Sequence, residues 1–258
     1  MLRKDAKWTQ WSEKDGKNAL HYLCGLDIST DPQKVEASLQ ILKLLLESGM
    51  DINSIHKIPD RCGFFPATPL WYTYTRGRNE KLYTYLLSAG ADPNHCMFAI
   101  AWYDDVKAAD LFKKYGAEIE DAAFLAAFTW KRFGMAEWFL QNGANVNFAD
   151  EDGNTALHYA VKRNYKMEYI QLLLQFGADF HKENKEGMSP KKIAESNNRK
   201  KVLSLFESQQ LPFMPFPEKE RFEPQLRDSL PFFAVGKSNG SPVGEPLLFN
   251  AALWRYVV

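Results

Sequence analysis

Asp152-Gly153-Asn154-Thr155-Ala156-Leu157-His158-Tyr159-Ala160 opens a unit that Leu172-Leu173-Leu174-Gln175-Phe176-Gly177-Ala178-Asp179 closes. Thr155 precedes an apolar run at helical spacing, Leu157, Ala160 and Val161, and its hydroxyl suits amides that have no partner inside a helix. Met167 to Phe176 are apolar on most sides and stop at Gly177, the residue type a helix end uses when the chain turns through positive φ. Two short helices joined tightly cannot bury their apolar faces alone, so the unit needs copies on either side.

Copies flank it. A first runs from Asp15 to about Asn53, with Asn18-Ala19-Leu20-His21-Tyr22 as its first helix. Gly16 to Gly49 takes 33 steps against 24 from Gly153 to Gly177. About nine extra residues, around Asp27 to Ala37, are therefore expected between its helices, since lengthening a surface loop costs little entropy. The second carries Ala67-Thr68-Pro69-Leu70-Trp71 and closes at Leu86 to Asn94, with Pro69 in a first turn where its missing N–H goes unnoticed. Its approach, Ile58 to Pro66, reads as an enlarged hairpin finger.

The third and fourth close at Tyr115-Gly116-Ala117 and Asn142-Gly143-Ala144. Successive closing glycines lie 41, 26, 27 and 34 residues apart. The short spacings spare the first helices, Ala99 to Asp104 and Ala126 to Lys131, and remove about seven residues of finger from a period near 33. A sixth copy, Lys185 to Phe206, replaces Leu and His with Lys191 and Lys192, the wet face that a terminal repeat needs. From Leu211 the pattern stops, and seven of the 13 prolines fall in the last 48 residues. Such a density argues against long helices and central strands. An extended segment lying back on the array, a solvated chain and a ligand for another protein stay open for this tail.

The motifs D-G-x-T-P-L-H-x-A and L-L-x-x-G-A-D, with Ala156 where proline is usual, make the chain resemble the ankyrin repeat family. The resemblance implies an all-α fold: an ankyrin repeat solenoid of about six helix-turn-helix repeats with β-hairpin fingers, two of them shortened, plus a Pro-rich C-terminal tail. The expected division is a capping segment over 1–14, whose Trp8 and Trp11 share one helical face, an array over 15–210 and a tail over 211–258. His21 and His158 hold the family's histidine position, where the imidazole ties one repeat's loop to its neighbour. Trp71 and Phe98 hold it in repeats two and three, where packing replaces the hydrogen bond.

The family's variable first-helix columns face a concave groove where partners bind. Here they hold Tyr22, Tyr72 and Tyr159 in one column and Arg76, Tyr103, Trp130 and Arg163 in another. Tyr, Trp and Arg are enriched at binding hot spots because they bury much area and keep a polar handle. Tyr103 and Trp130 have a second reading, as cover for core left bare by the short fingers. The resemblance thus implies a non-enzymatic protein that binds one dedicated protein partner through its concave face, as a regulator or inhibitor. The chain also looks similar to stand-alone bacterial ankyrin proteins, some of which neutralise toxins or act inside hosts.

Composition excludes several classes. Thirty-two basic and 32 acidic side chains cancel, leaving no net field toward nucleic acid or anionic lipid. The cluster Lys191, Lys192, Arg199, Lys200 and Lys201 reads as a solvated face rather than a basic stripe. Three cysteines, Cys24, Cys62 and Cys96, fit reduced cytoplasmic thiols better than a disulfide framework. Neither a signal peptide nor a membrane span is visible. Gly236-Lys237-Ser238-Asn239-Gly240 spells G-x-S-x-G and leaves serine hydrolase activity as a remote alternative, since Pro242 blocks the helix a hydrolase elbow needs and no histidine follows His181. His56, Cys62, His95 and Cys96 lack the paired spacing of a zinc site. Asp150-Glu151-Asp152-Gly153 has Val161 where a calcium loop needs glutamate. The expectation is a monomer with no metal, cofactor or catalytic residue.

Overall fold

The computed structural model describes residues 11–60 and 63–209. The tail with its G-x-S-x-G string, residues 1–10 with Trp8, and Cys62 lie outside the described residues. Six helix pairs follow one another: α1 (Ala19–Cys24) with α2 (Pro32–Glu47), α3 (Pro69–Tyr72) with α4 (Glu80–Ser88), α5 (Met97–Tyr103) with α6 (Val106–Lys114), α7 (Asp121–Thr129) with α8 (Phe133–Gln141), α9 (Ala156–Lys162) with α10 (Met167–Gln175), and α11 (Pro190–Ser196) with α12 (Lys200–Gln209). First helices pack on first helices and second on second, α5 on α7 on α9 and α6 on α8 among them. The helical array matches the expected solenoid.

The layer of first helices carries the core. Every residue of α7 from Ala122 to Thr129 is buried. Four alanines there let the neighbouring helices approach closely, while Phe124 and Phe128 fill the remaining space. At the far end Phe206 stacks on Phe180 with ring centroids 4.7 Å apart, closing the apolar interior.

Caps follow three of the motifs, while the Thr155 hydroxyl lies 2.9 Å from His158 Nδ1 instead of accepting an amide of α9. Asn18, Thr68 and Ser189 sit in extended conformation and accept amides of α1, α3 and α11. A ladder of side chains links the loops: Asn53 Oδ1 accepts the Asp92 amide at 2.8 Å, Asn94 Oδ1 that of Glu118 at 3.0 Å, and Asn147 Oδ1 that of Asp179 at 2.8 Å. Each of these asparagines thereby satisfies a backbone group of the next repeat.

Three expectations change in detail. The extra residues of repeat one do not all form a loop. Asp31 caps a helix begun by Pro32, and part of the insertion lengthens α2 to 16 residues against nine in α4. Strand pairing is confined, among the described residues, to the finger before repeat two, apart from isolated bridges Ser12–Asn18 and Ala149–Thr155. There β1 (His56–Asp60) and β2 (Gly63–Ala67) pair antiparallel with His56 opposite Ala67. Trp11 is not helical: it precedes a tight turn and lies half-exposed beside Tyr22, ring centroids 6.4 Å apart.

The finger is anchored to repeat one. Lys57 donates its amide to Asp15 O at 2.7 Å, and Gly16, at φ 91°, lies so near that a β-carbon would stand 2.2 Å from Ile55 O.

Candidate functional site

The two expected columns divide into tethered, stacked and buried side chains. The tyrosines of the first column share one device, since each phenol meets the finger that precedes its helix. Tyr22 donates to Glu13 and Tyr159 to Asp150, both nine residues back. The Tyr72 oxygen stands 2.6 Å from His56 Nδ1, and His56 Nε2 lies 3.0 Å from Asp15 Oδ2. The larger finger lets an imidazole extend the connection to a carboxylate of repeat one.

Exposure separates the three. Tyr22 is 45% exposed and Tyr159 half-buried, whereas Tyr72 is 2% exposed. Tyr72 therefore offers no surface to a partner. Its ring packs against His21, His56 and Trp71, and burial raises its phenol above the ordinary range.

The second column stacks on the first. Arg76 lies 5.4 Å over the Tyr72 ring and Arg163 4.7 Å over Tyr159, each four residues later on the same helical face. Arg163 also donates to Thr129 O at 3.2 Å, reaching from repeat five to repeat four. Trp130 is half-buried against Trp102, centroids 5.1 Å apart, and Arg132 covers Trp102 at 5.0 Å. Tyr103 is 44% exposed and meets Tyr74 at 6.0 Å.

The motif histidines are structural. His21 Nδ1 accepts the Asn18 amide at 3.2 Å, which makes Nε2 the protonated nitrogen, and that N–H faces Ser54 O at 3.1 Å and Ala67 O at 3.2 Å. His158 repeats this, accepting from Thr155 N and donating to Met188 O at 3.1 Å. Burial holds both imidazoles below their ordinary value, His21 at about 4. Trp71, in the same position, packs 5.2 Å from Phe65 of the finger.

Cys24 and Cys96 are fully buried, and burial pushes both thiols up, Cys24 to about 12. Among the described residues no group of three His, Cys, Asp or Glu side chains is placed to hold a metal ion, and no helix is long and apolar enough to cross a membrane. The Lys192 ammonium is already engaged, at 2.5 Å from Glu183 and 3.0 Å from Gly187 O.

Two features escape sequence reasoning. The Asp15–His56–Tyr72 connection joins residues up to 57 positions apart. A cleft lined by Tyr74, Tyr83 and Tyr103 lies between repeats two and three. Its only sequence signal is the density of tyrosine over residues 72–85.

Residues 123–211 match the family described as ankyrin repeats (3 copies). An ankyrin repeat protein of Acanthamoeba polyphaga mimivirus is 47% identical over 51 residues, 20% of this chain and 12% of that protein. One from Fowlpox virus is 29% identical over 174 residues, 66% of this chain and 44% of that protein. The chain thus spans less than half the length of either. Other similar proteins come from Rickettsia felis and Caenorhabditis elegans, so the relatives do not single out a bacterial type. Among solved structures, the ankyrin repeat domain of Bcl-3, a member of the IkappaB protein family, superposes with a TM-score of 0.60 at 17% identity, covering 76% of this chain and 88% of that one. The human ASB11 ankyrin repeat domain gives 0.56 at 20% identity, covering 80% and 89%.

Proposed function

We propose, from the premise that this chain is an ankyrin repeat protein, that it binds one dedicated protein partner through its concave face and acts as a regulator or inhibitor rather than an enzyme. The observation that carries this reading is the tethering of the column side chains. Tyr22, Tyr159 and Arg163 keep accessible surface while Glu13, Asp150 and Thr129 O hold their polar ends. Side chains fixed before binding lose little rotamer freedom on contact, a term of roughly 0.5–1.5 kcal/mol for each long side chain. Trp130 and Tyr103 extend the accessible aromatic surface toward repeats three and four, and Arg76 contributes a half-buried side chain; Tyr72 acts from beneath as a support.

The irregular repeats support a dedicated partner over a general scaffold, because insertions and shortened fingers give each section of the face its own shape. Balanced charge favours a protein over nucleic acid. A monomeric cytoplasmic regulator is the form we propose; neutralising a toxin or acting inside a host is the alternative kept from the resemblance.

The test is capture from native lysate with the full chain and with Tyr22→Ala/Tyr159→Ala/Arg163→Ala, both verified as folded by urea titration. Loss of one abundant captured protein, with the unfolding midpoint little changed, supports the concave-face reading. Capture of the same proteins in the same yield by both baits removes it.

A further inference from the structure

Repeats two and three enclose an open cleft of about 560 Å3. Tyr83 of α4 and Tyr103 at the end of α5 form its walls. Tyr74, 7% exposed, lies between them, with ring centroids 5.9 Å and 6.0 Å away at 61° and 67°. Three carboxylates, Glu80, Asp104 and Asp105, share the lining with a single guanidinium, that of Arg78.

Two of the carboxylates, Asp104 and Asp105, are fixed by hydrogen bonds but not neutralised. Asp105 Oδ1 accepts the Ala108 amide at 3.0 Å and Oδ2 the Tyr74 hydroxyl at 3.2 Å; Asp104 Oδ1 accepts the Met135 amide at 2.7 Å. No ion pair among the described residues engages Glu80, Asp104 or Asp105. Capping accounts for Asp104 and Asp105 singly, and a first-turn position in α4 for Glu80. Neither accounts for three of them around an open, aromatic-walled space with one counter-charge. The phenols register the setting: burial pushes Tyr74 and Tyr83 upward, Tyr83 to about 12, with Asp105 adding to both and Glu80 to Tyr83.

The backbone here is irregular. The first helix of repeat two passes into a π-type turn over Thr73–Gly77 and ends at Arg78 in the left-handed region, φ 46°. Such turns recur at functional sites because they re-aim side chains that a regular helix would place elsewhere.

We infer that this cleft binds an organic cation, an alkylammonium or guanidinium group seated against the phenol rings with its N–H groups toward the carboxylates. Ring faces attract a positive charge, and desolvation beside them strengthens the attraction. A neutral ligand gains hydrogen bonds but no Coulomb attraction from the uncompensated acids, and an anion is repelled by them. Two sources share this chemistry: a lysine or arginine side chain of a protein, and a free primary alkylamine or guanidine. The inference shares Tyr103 with the concave-face reading but does not depend on it, since cation binding is read without a protein partner.

The experiment is calorimetric titration of the full chain at low ionic strength with N-acetyl-arginine amide, methylammonium chloride and the neutral isostere N-acetyl-citrulline amide. Saturable binding of either cation without binding of citrulline is expected, and the tighter of the two identifies the source. Tyr103→Ala should weaken binding at least about threefold, the scale of one lost cation–ring contact. Glu80→Gln should weaken it too. Arg78→Asn, which tolerates the left-handed conformation, should tighten it by removing the resident positive charge. Urea midpoints establish that each variant is folded. Binding of neither cation, equal binding of citrulline, weaker binding by Arg78→Asn, or indifference to Tyr103→Ala and Glu80→Gln combined overturns the inference.

Discussion

His56 Nδ1 and the Tyr72 hydroxyl oxygen lie 2.6 Å apart, both buried, and the other face of the imidazole reaches Asp15 Oδ2 at 3.0 Å. With Nε2–H donating to the carboxylate, Nδ1 accepts from the phenol, so one imidazole joins the finger to the first helix of repeat two and the turn before repeat one. Tyr72→Phe keeps the ring packing and leaves Nδ1 buried without a donor. The expected cost is about 1–3 kcal/mol, read as a lower urea midpoint with the m-value unchanged. A midpoint equal to wild type would show that water replaces the phenol at no cost.

Acid should loosen the array through its two motif histidines. The folded state holds His21 at about 4 and His158 below its ordinary value, while the unfolded chain titrates near 6.5. Below pH 6.5 the unfolded state therefore binds protons that the folded state refuses. Stability is full above about 6.5 and falls with pH until the folded state also protonates, near 4 for His21. His21→Gln should be less stable at pH 7.5 and show a shallower decline of urea midpoint between pH 6.5 and 4. An identical slope in the two proteins would assign the acid sensitivity elsewhere.

Most of the helical architecture is legible from short motifs because each motif does a local job. Asn18, Thr68 and Ser189 cap, the closing glycines turn, and His21 and His158 each use both ring nitrogens on loop backbone within or next to their own repeat. The candidate columns were legible as positions but not as exposures. Tyr22, Tyr72 and Tyr159 occupy equivalent places, yet only Tyr72 meets an imidazole from an enlarged finger, and that finger buries it. The helical part of the repeat-one insertion was announced by Asp31-Pro32, a cap followed by a first-turn proline. The tyrosine cleft had no comparable announcement, since it depends on a π-type turn and on packing between two repeats.

Gly77 of repeat two packs directly against the backbone of repeat one. A β-carbon there would stand 2.3 Å from Cys24 O, a backbone atom that cannot rotate away. Gly77→Ala should therefore destabilise the protein by roughly 1–3 kcal/mol, the usual scale of overpacking, despite alanine's better helix propensity. The urea midpoint measures it. A stabilised variant would mean that the π-type turn relaxes to a regular helix at little cost.

Asp104 tests whether neighbouring repeats cap each other. It ends α5 in the left-handed region at φ 56°, and its carboxylate accepts the Met135 amide in the first turn of α8 at 2.7 Å. Arg132, at the capping position of α8 itself, makes no side-chain cap hydrogen bond, so the preceding repeat supplies the acceptor. Asp104→Asn retains both an oxygen acceptor and tolerance of the left-handed conformation, whereas Asp104→Gly retains only the conformation. The glycine variant should lose about 0.5–2 kcal/mol relative to the asparagine variant, the range of a lost cap. Hydrogen exchange sharpens the reading. Faster exchange at Met135 in Asp104→Gly, with amides of α1 and α2 unchanged, places the loss at α8; uniform acceleration along the array would instead make Asp104 a determinant of global stability and not a cap.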